Sequence, residues 1–137
     1  MKTRVLDSWP MLEWINGREP ASTFVDGLFA QSEKGRARLL MSAINAGEVY
    51  YFLCKENRHS AAEAWRQSSA TFPVTIEVPS AEEIWNAAEL KGRYAISYAD
   101  AFAAALAMKY QCPLLTGDPE FRAVGHLQLD WIERHRQ

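Results

Sequence analysis

Short apolar runs alternate with helical segments along the whole chain, and this alternation narrows the possible folds more than any other feature. Residues 2–6 (KTRVL), 37–42 (ARLLMS), 72–78 (FPVTIEV), 112–116 (CPLLT) and 127–132 (LQLDWI) read as strands, the third rich in β-branched residues. Helical segments lie between them. Pro10 suits the first turn of a helix over 10–16 that ends at Asn16-Gly17. Residues 20–33 place Phe24 and Leu28, then Val25 and Phe29, at a spacing of four. Residues 43–56 read as a helix despite Gly47, which costs up to about 1 kcal/mol relative to Ala. Ser60-Ala-Ala-Glu63 and Ser80-Ala-Glu-Glu83 fit the capping-box pattern and open helices to about 69 and 93. A last, Ala-rich helix spans 98–110. Strands separated by helices predict a three-layer α/β sandwich, with a mostly parallel central sheet flanked by helices.

A chain of 137 residues reads as one domain, long enough to bury a core without disulfides. The net charge of −2 gives no global basic field, so any nucleic-acid partner must be drawn by a local patch or a metal. Cys54 and Cys112 have no metal-ligand or C-x-x-C spacing and read as reduced packing residues of a cytoplasmic protein. The start, MKTRVLDSW, lacks the apolar core of a signal peptide, and no window reaches the ~18 apolar residues of a membrane span. His59, His126 and His135 share no ligand spacing and are expected at the surface.

The acids carry the chemistry. In open parallel sheets a site forms outside the carboxyl ends of the strands. Asp7 directly follows the first strand, and Asp118 follows LLT by two residues. Glu48 lies one to two turns into the helix after the second strand, and Asp100 lies in the first turn of the helix leading to the fourth. Each has an ordinary structural use. Asp7 suits an Asx turn, Asp118 before Pro119 an N-cap, and Glu48 a solvated helix face. Ser97-Tyr98-Ala99-Asp100 fits a capping box. Together on one rim, four carboxylates repel and raise one another's pKa values, and a divalent cation offsets that repulsion. Mg²⁺ suits an all-oxygen site of this kind. No phosphate-binding glycine loop, dinucleotide fingerprint or nucleophile elbow competes with the acids.

VLDSWPMLEWI, LLMSAINAGEVYYFL and ISYADAFAAALAMKYQCPLLTGDPEF, taken in order, resemble the PIN-domain ribonucleases, most closely the VapC-type toxins of toxin–antitoxin pairs. The resemblance spans nearly the whole chain. It implies a metal-dependent endoribonuclease with the acidic quartet Asp7, Glu48, Asp100 and Asp118 around one or two Mg²⁺ or Mn²⁺ ions. Asp7 and Asp118 would hold metal, Asp100 would complete the shell, and Glu48 would ligate through water or orient the attacking water. Ser8 and Thr116 match flanking hydroxyl positions, and Glu120 matches a further acid. Gly47 and Pro119 depart from the pattern, which usually has a bulkier and a basic residue there.

The resemblance also implies an RNA substrate, a homodimer, and a cognate antitoxin whose peptide tail fills an apolar groove supplied by Trp9, Trp14, Phe24, Leu28 and Phe29. Lys34, Arg36, Arg38, Lys91, Arg93 and Arg122 are the candidates for holding RNA backbone. Two other readings stay open. A phosphoacceptor receiver domain also has an acidic rim, but needs adjacent early acids and a late Lys, and no Lys follows Lys109. The other is a catalytically inactive PIN scaffold.

Overall fold

The computed structural model describes residues 1–133. Five strands, β1 (Lys2–Leu6), β2 (Ala37–Ser42), β3 (Thr75–Glu77), β4 (Leu114–Thr116) and β5 (Leu129–Trp131), form one sheet in the order β3-β2-β1-β4-β5. All four pairings are parallel. The chain therefore moves outward from β1 through β2 to β3, then crosses back to β4 on the other side of β1. That reversal makes the gap between the carboxyl ends of β1 and β4 the switch point where such sheets bind ligands.

Both faces of the sheet are covered, so its strands are apolar almost throughout. Alternate residues serve different cores. Leu6, Leu39, Met41 and Leu115 pack with α1 (Ser8–Ile15), α2 (Ala21–Glu33), α3 (Ala43–Lys55) and α4 (His59–Ser68). Val5, Leu40 and Leu114 pack with α5 (Ala81–Arg93) and α6 (Tyr98–Tyr110). Helix α6 is buried continuously from Asp100 to Ala107. Its five alanines in that stretch bring its backbone close to the sheet, and a helix apolar on all sides must be enclosed. Lys109 in the last turn of α6 lies 2.6 Å from Glu83 in the first turn of α5, so the two helices run antiparallel.

The expected elements form, with altered ends. Helix α1 begins at Ser8, two residues before Pro10, because the chain turns directly out of β1. Helix α4 begins at His59 with Arg58 at its N-cap, and Ser60 caps nothing there. The short turn after α3, with Asn57 at φ 59° and Arg58 N–H bonded to Leu53, sets that start instead. Strand β3 is only Thr75–Glu77, since Phe72 is drawn into a ring cluster with Trp14 and Trp65. Strands β4 and β5 are likewise shorter than the apolar runs that contain them. Among the described residues no helix is long and apolar enough to cross a membrane. His59 and His126 are exposed, and His135 lies outside the described residues.

Candidate metal centre

Each acid reaches the rim by a different route. Asp7 occupies the N-cap position between β1 and α1, and its side chain makes no cap hydrogen bond. Asp118 follows β4, with its backbone N–H donating to Thr116 Oγ1 at 3.0 Å. It also caps the 3-10 turn Pro119–Ala123, accepting from Glu120 N at 3.0 Å. At the head of α6 the cap divides its labour. Ser97 Oγ accepts from Asp100 N at 3.1 Å, as the capping box predicts, while the Asp100 carboxylate turns toward the other acids.

One carboxylate oxygen from each of Asp7, Asp100 and Asp118 lies within 4.8 Å of the others. Asp7 is 1% exposed and Asp100 6%, so water does little to separate their charges. Burial first, then the Asp100 charge, holds the Asp7 carboxyl well above the usual carboxylate range, against the opposing effect of its bond from Thr116. Burial also pushes Asp100 up to about 8, helped by a hydrogen bond to Glu120 and by the charges of Asp118, Glu120 and Glu48. Thr116 is the tie between strands. Its hydroxyl donates to Asp7 Oδ2 at 3.1 Å while accepting from Asp118 N. The other Asp7 oxygen, Oδ1, is buried with no hydrogen-bond partner among the described residues.

Glu48 stands beside this trio without entering the 4.8 Å group. It is 7% exposed on α3, with Asn45 Nδ2 3.4 Å from Oε1 and the Tyr51 hydroxyl 3.4 Å from Oε2. Asn45 and Tyr51 were not legible as site residues. Their only signal was their spacing of three on either side of Glu48. Ser8 is buried at the start of α1, and Glu120 is exposed beside Asp100.

The basic candidates divide. Lys34, Arg36 and Arg38 sit at the amino end of the sheet, where Arg38 lies over the Tyr110 ring at 5.1 Å. Lys34 and Arg36 precede β2, as read from the sequence, while Arg38 lies inside it, so these three stand at the end of the sheet away from the acids. The antiparallel pairing of α5 with α6 puts Lys91 and Arg93 toward the rim, and Arg122 follows Asp118. Of the aromatic candidates, Leu28 and Phe29 belong to the core, Phe24 is exposed, and Trp9 and Trp14 are half-buried.

Gly117 fixes the spacing of β4 against α1. A Cβ there would lie 2.5 Å from Trp9 Cη2 and 2.8 Å from the Ile132 carbonyl oxygen. Gly117→Ala must push the Trp9 ring or the Asp118 backbone aside, so it is expected to cost about 1–3 kcal/mol. The check is a thermal melt with and without Mn²⁺. A drop in melting temperature together with a smaller Mn²⁺ response is expected, and an unchanged response means Asp118 has not moved.

A family model described as PIN domain matches residues 4–127. No curated protein matches the sequence. Among solved structures, the chain is similar to the VapC20 toxin of Mycobacterium tuberculosis, described as cleaving the sarcin–ricin loop. The two are 19% identical with a TM-score of 0.76, over 92% of this chain and 98% of that one. It is also similar to VapBC of Salmonella typhimurium, solved bound to DNA, at 14% identity and a TM-score of 0.74, over 95% and 98%. VapBC2 of Rickettsia felis, bound to a DNA fragment from its promoter, shares 18% identity and a TM-score of 0.73, over 93% and 97%.

Proposed function

The chain belongs to the PIN-domain family, and on that footing we propose a metal-dependent endoribonuclease, one domain over residues 1–137, that serves as the toxin of a toxin–antitoxin pair. One observation carries this reading: the buried, unpartnered Oδ1 of Asp7 beside the carboxylates of Asp100 and Asp118. A buried acceptor with no donor is costly, and three carboxylates at this spacing worsen the cost. A divalent cation relieves both, so the residues fit Mg²⁺ or Mn²⁺. Family membership also sets aside the receiver-domain reading.

When bound, such an ion supplies Lewis acidity, making its water more acidic and offsetting charge on a scissile phosphate. The chain's own groups do the rest. Asp7, Asp100 and Asp118 would hold the ion. Thr116 keeps Asp7 in one rotamer through its hydroxyl. Glu48, held from two sides by Asn45 and Tyr51, orients the attacking water. Glu120, beside Asp100, helps raise the Asp100 carboxyl in the metal-free chain. Lys91, Arg93 and Arg122 draw the RNA backbone toward the rim.

The toxin reading brings a cytoplasmic setting, a homodimer and an antitoxin. The VapBC likenesses favour the last, as does the surface beside the acids. A cavity of about 450 Å³ is lined by Trp9, Glu13, Arg18, Pro20 and Ala21. Trp9 there lies two residues from Asp7, so a peptide seated in this cavity lies next to the metal centre.

Cleavage of structured RNA in Mn²⁺ or Mg²⁺, followed on gels with EDTA and Asp118→Asn as controls, tests the activity. Wild-type cleavage that stops in EDTA and falls at least 10²-fold in the variant is expected, since a lost ligand removes several kcal/mol of transition-state stabilisation. If Mn²⁺ raises the melting temperature but no RNA is cut, the inactive scaffold is the better description.

A further inference from the structure

Asn45 is 0% exposed and sits one turn before Glu48 on α3. Its Nδ2 has two hydrogens and two acceptors: the Ala99 carbonyl at 3.1 Å and Glu48 Oε1 at 3.4 Å. Ala99 immediately precedes Asp100. The amide orientation follows from its partners, because a carbonyl only accepts and so must face the nitrogen. Asn45 Oδ1 is then left buried with no partner among the described residues.

That arrangement is hard to explain by folding alone. The starts of both helices are already capped, α3 by Ser42 and α6 by Ser97. A buried acceptor without a donor is a cost that an alanine or leucine at position 45 would avoid. What the amide gains is a fixed link between two elements that each carry an acid. Glu48 and Asp100 both bring carboxylates to one buried rim, Asn45 touching one of them and the residue before the other. A neutral donor between the Glu48 carboxylate and the backbone entering Asp100 holds them at one spacing without adding charge.

We propose that Asn45 is a positioning residue for the metal centre, acting through Glu48 to set where its carboxylate stands relative to Asp100. The proposal rests on the nuclease reading above and adds a residue to its machinery. Groups that orient metal ligands or their bound waters typically change metal affinity by 10–100-fold when removed. Because Asn45 acts through Glu48, its effect must vanish when Glu48 is gone.

The test is a double-mutant cycle in Mn²⁺ affinity, measured by titration calorimetry on the full chain as wild type, Asn45→Ala, Glu48→Ala and the double variant. Asn45→Ala is expected to weaken Mn²⁺ about tenfold in the wild-type background and less than twofold in the Glu48→Ala background. Circular dichroism melts confirm folding. If the alanine variant does not fold, Asn45→Asp, which keeps the shape and loses the donor, takes its place in the cycle. Equal losses in both backgrounds, or no loss in either, overturn the proposal while wild-type Mn²⁺ binding keeps the nuclease reading intact. A wild type that binds no Mn²⁺ overturns the metal centre and this role with it.

Discussion

Asp7→Asn is expected to abolish metal-dependent cleavage and, in metal-free buffer, to make the protein harder to melt. The two effects have one cause. Asp7 is the most buried of the three converging acids, and it carries an oxygen with no partner. As a carboxylate it must either stay protonated or face the charges of Asp100 and Asp118 at close range. The amide is nearly the same shape. Its oxygen still accepts from Thr116, and its NH₂ points where the unpartnered oxygen was, able to donate to a neighbouring acid. An interaction that was repulsive becomes attractive, and removing a buried charge of this kind gains on the order of 1–3 kcal/mol, a rise of a few degrees. The same change removes a ligand, and activity should fall on the order of 10³-fold. Melts in EDTA beside cleavage assays in Mn²⁺ check both halves. A variant that is both inactive and less stable would show that Asp7 mainly serves the fold.

The second large effect is on pH. Asp7 and Asp100 have folded-state pKa values above their unfolded values, Asp100 at about 8. Between the ordinary carboxylate range and those raised values, the folded chain binds more protons than the unfolded one, so stability falls as pH rises. With respect to these groups, metal-free protein should therefore be most stable at and below about pH 4, near the unfolded carboxylate value, and lose on the order of 2–4 kcal/mol by pH 8. That range allows for solvent screening at the open side of Asp100. Saturating Mn²⁺ must reverse the trend, because the ion takes the place of the protons. Calorimetry at pH 7 in two buffers of different ionisation enthalpy should show about one to two protons released per ion bound. If no proton is released, the acids are already ionised at pH 7 and their pKa values are not raised as argued for this site. The Asp100→Asn variant should lose roughly one of those protons.

Much of the fold was readable because its signals are local. The bounds of β2 and α6 coincide with an apolar run after Arg36 and with a Ser97 cap. Where the sequence misled, a distant partner decided. Phe72 looks like part of a β-branched strand but serves the rings of Trp14 and Trp65. Ser60 looks like a cap, but the tight turn after α3 starts the helix without it. The acids could be placed because three of them border strands or a helix start, positions that the sheet topology brings to one rim. The distances among them, the isolation of Asp7 Oδ1 and the two bonds made by Asn45 depend on packing between α3, α6 and the sheet, which no local pattern encodes. Lys34 and Arg36 stand before β2 as the sequence order places them, and Arg38 lies within the strand because β2 starts at Ala37.

The place of β1 at the centre of the sheet also bears on synthesis. Its acid, Asp7, leaves the ribosome first, yet its partner strand β4 comes more than a hundred residues later and brings Asp118 with it. Until that strand docks, one side of β1 is an open edge and Asp118 is away from Asp7. The three converging acids therefore meet only late in the sheet's assembly, because the strand at its centre waits longest for its second neighbour.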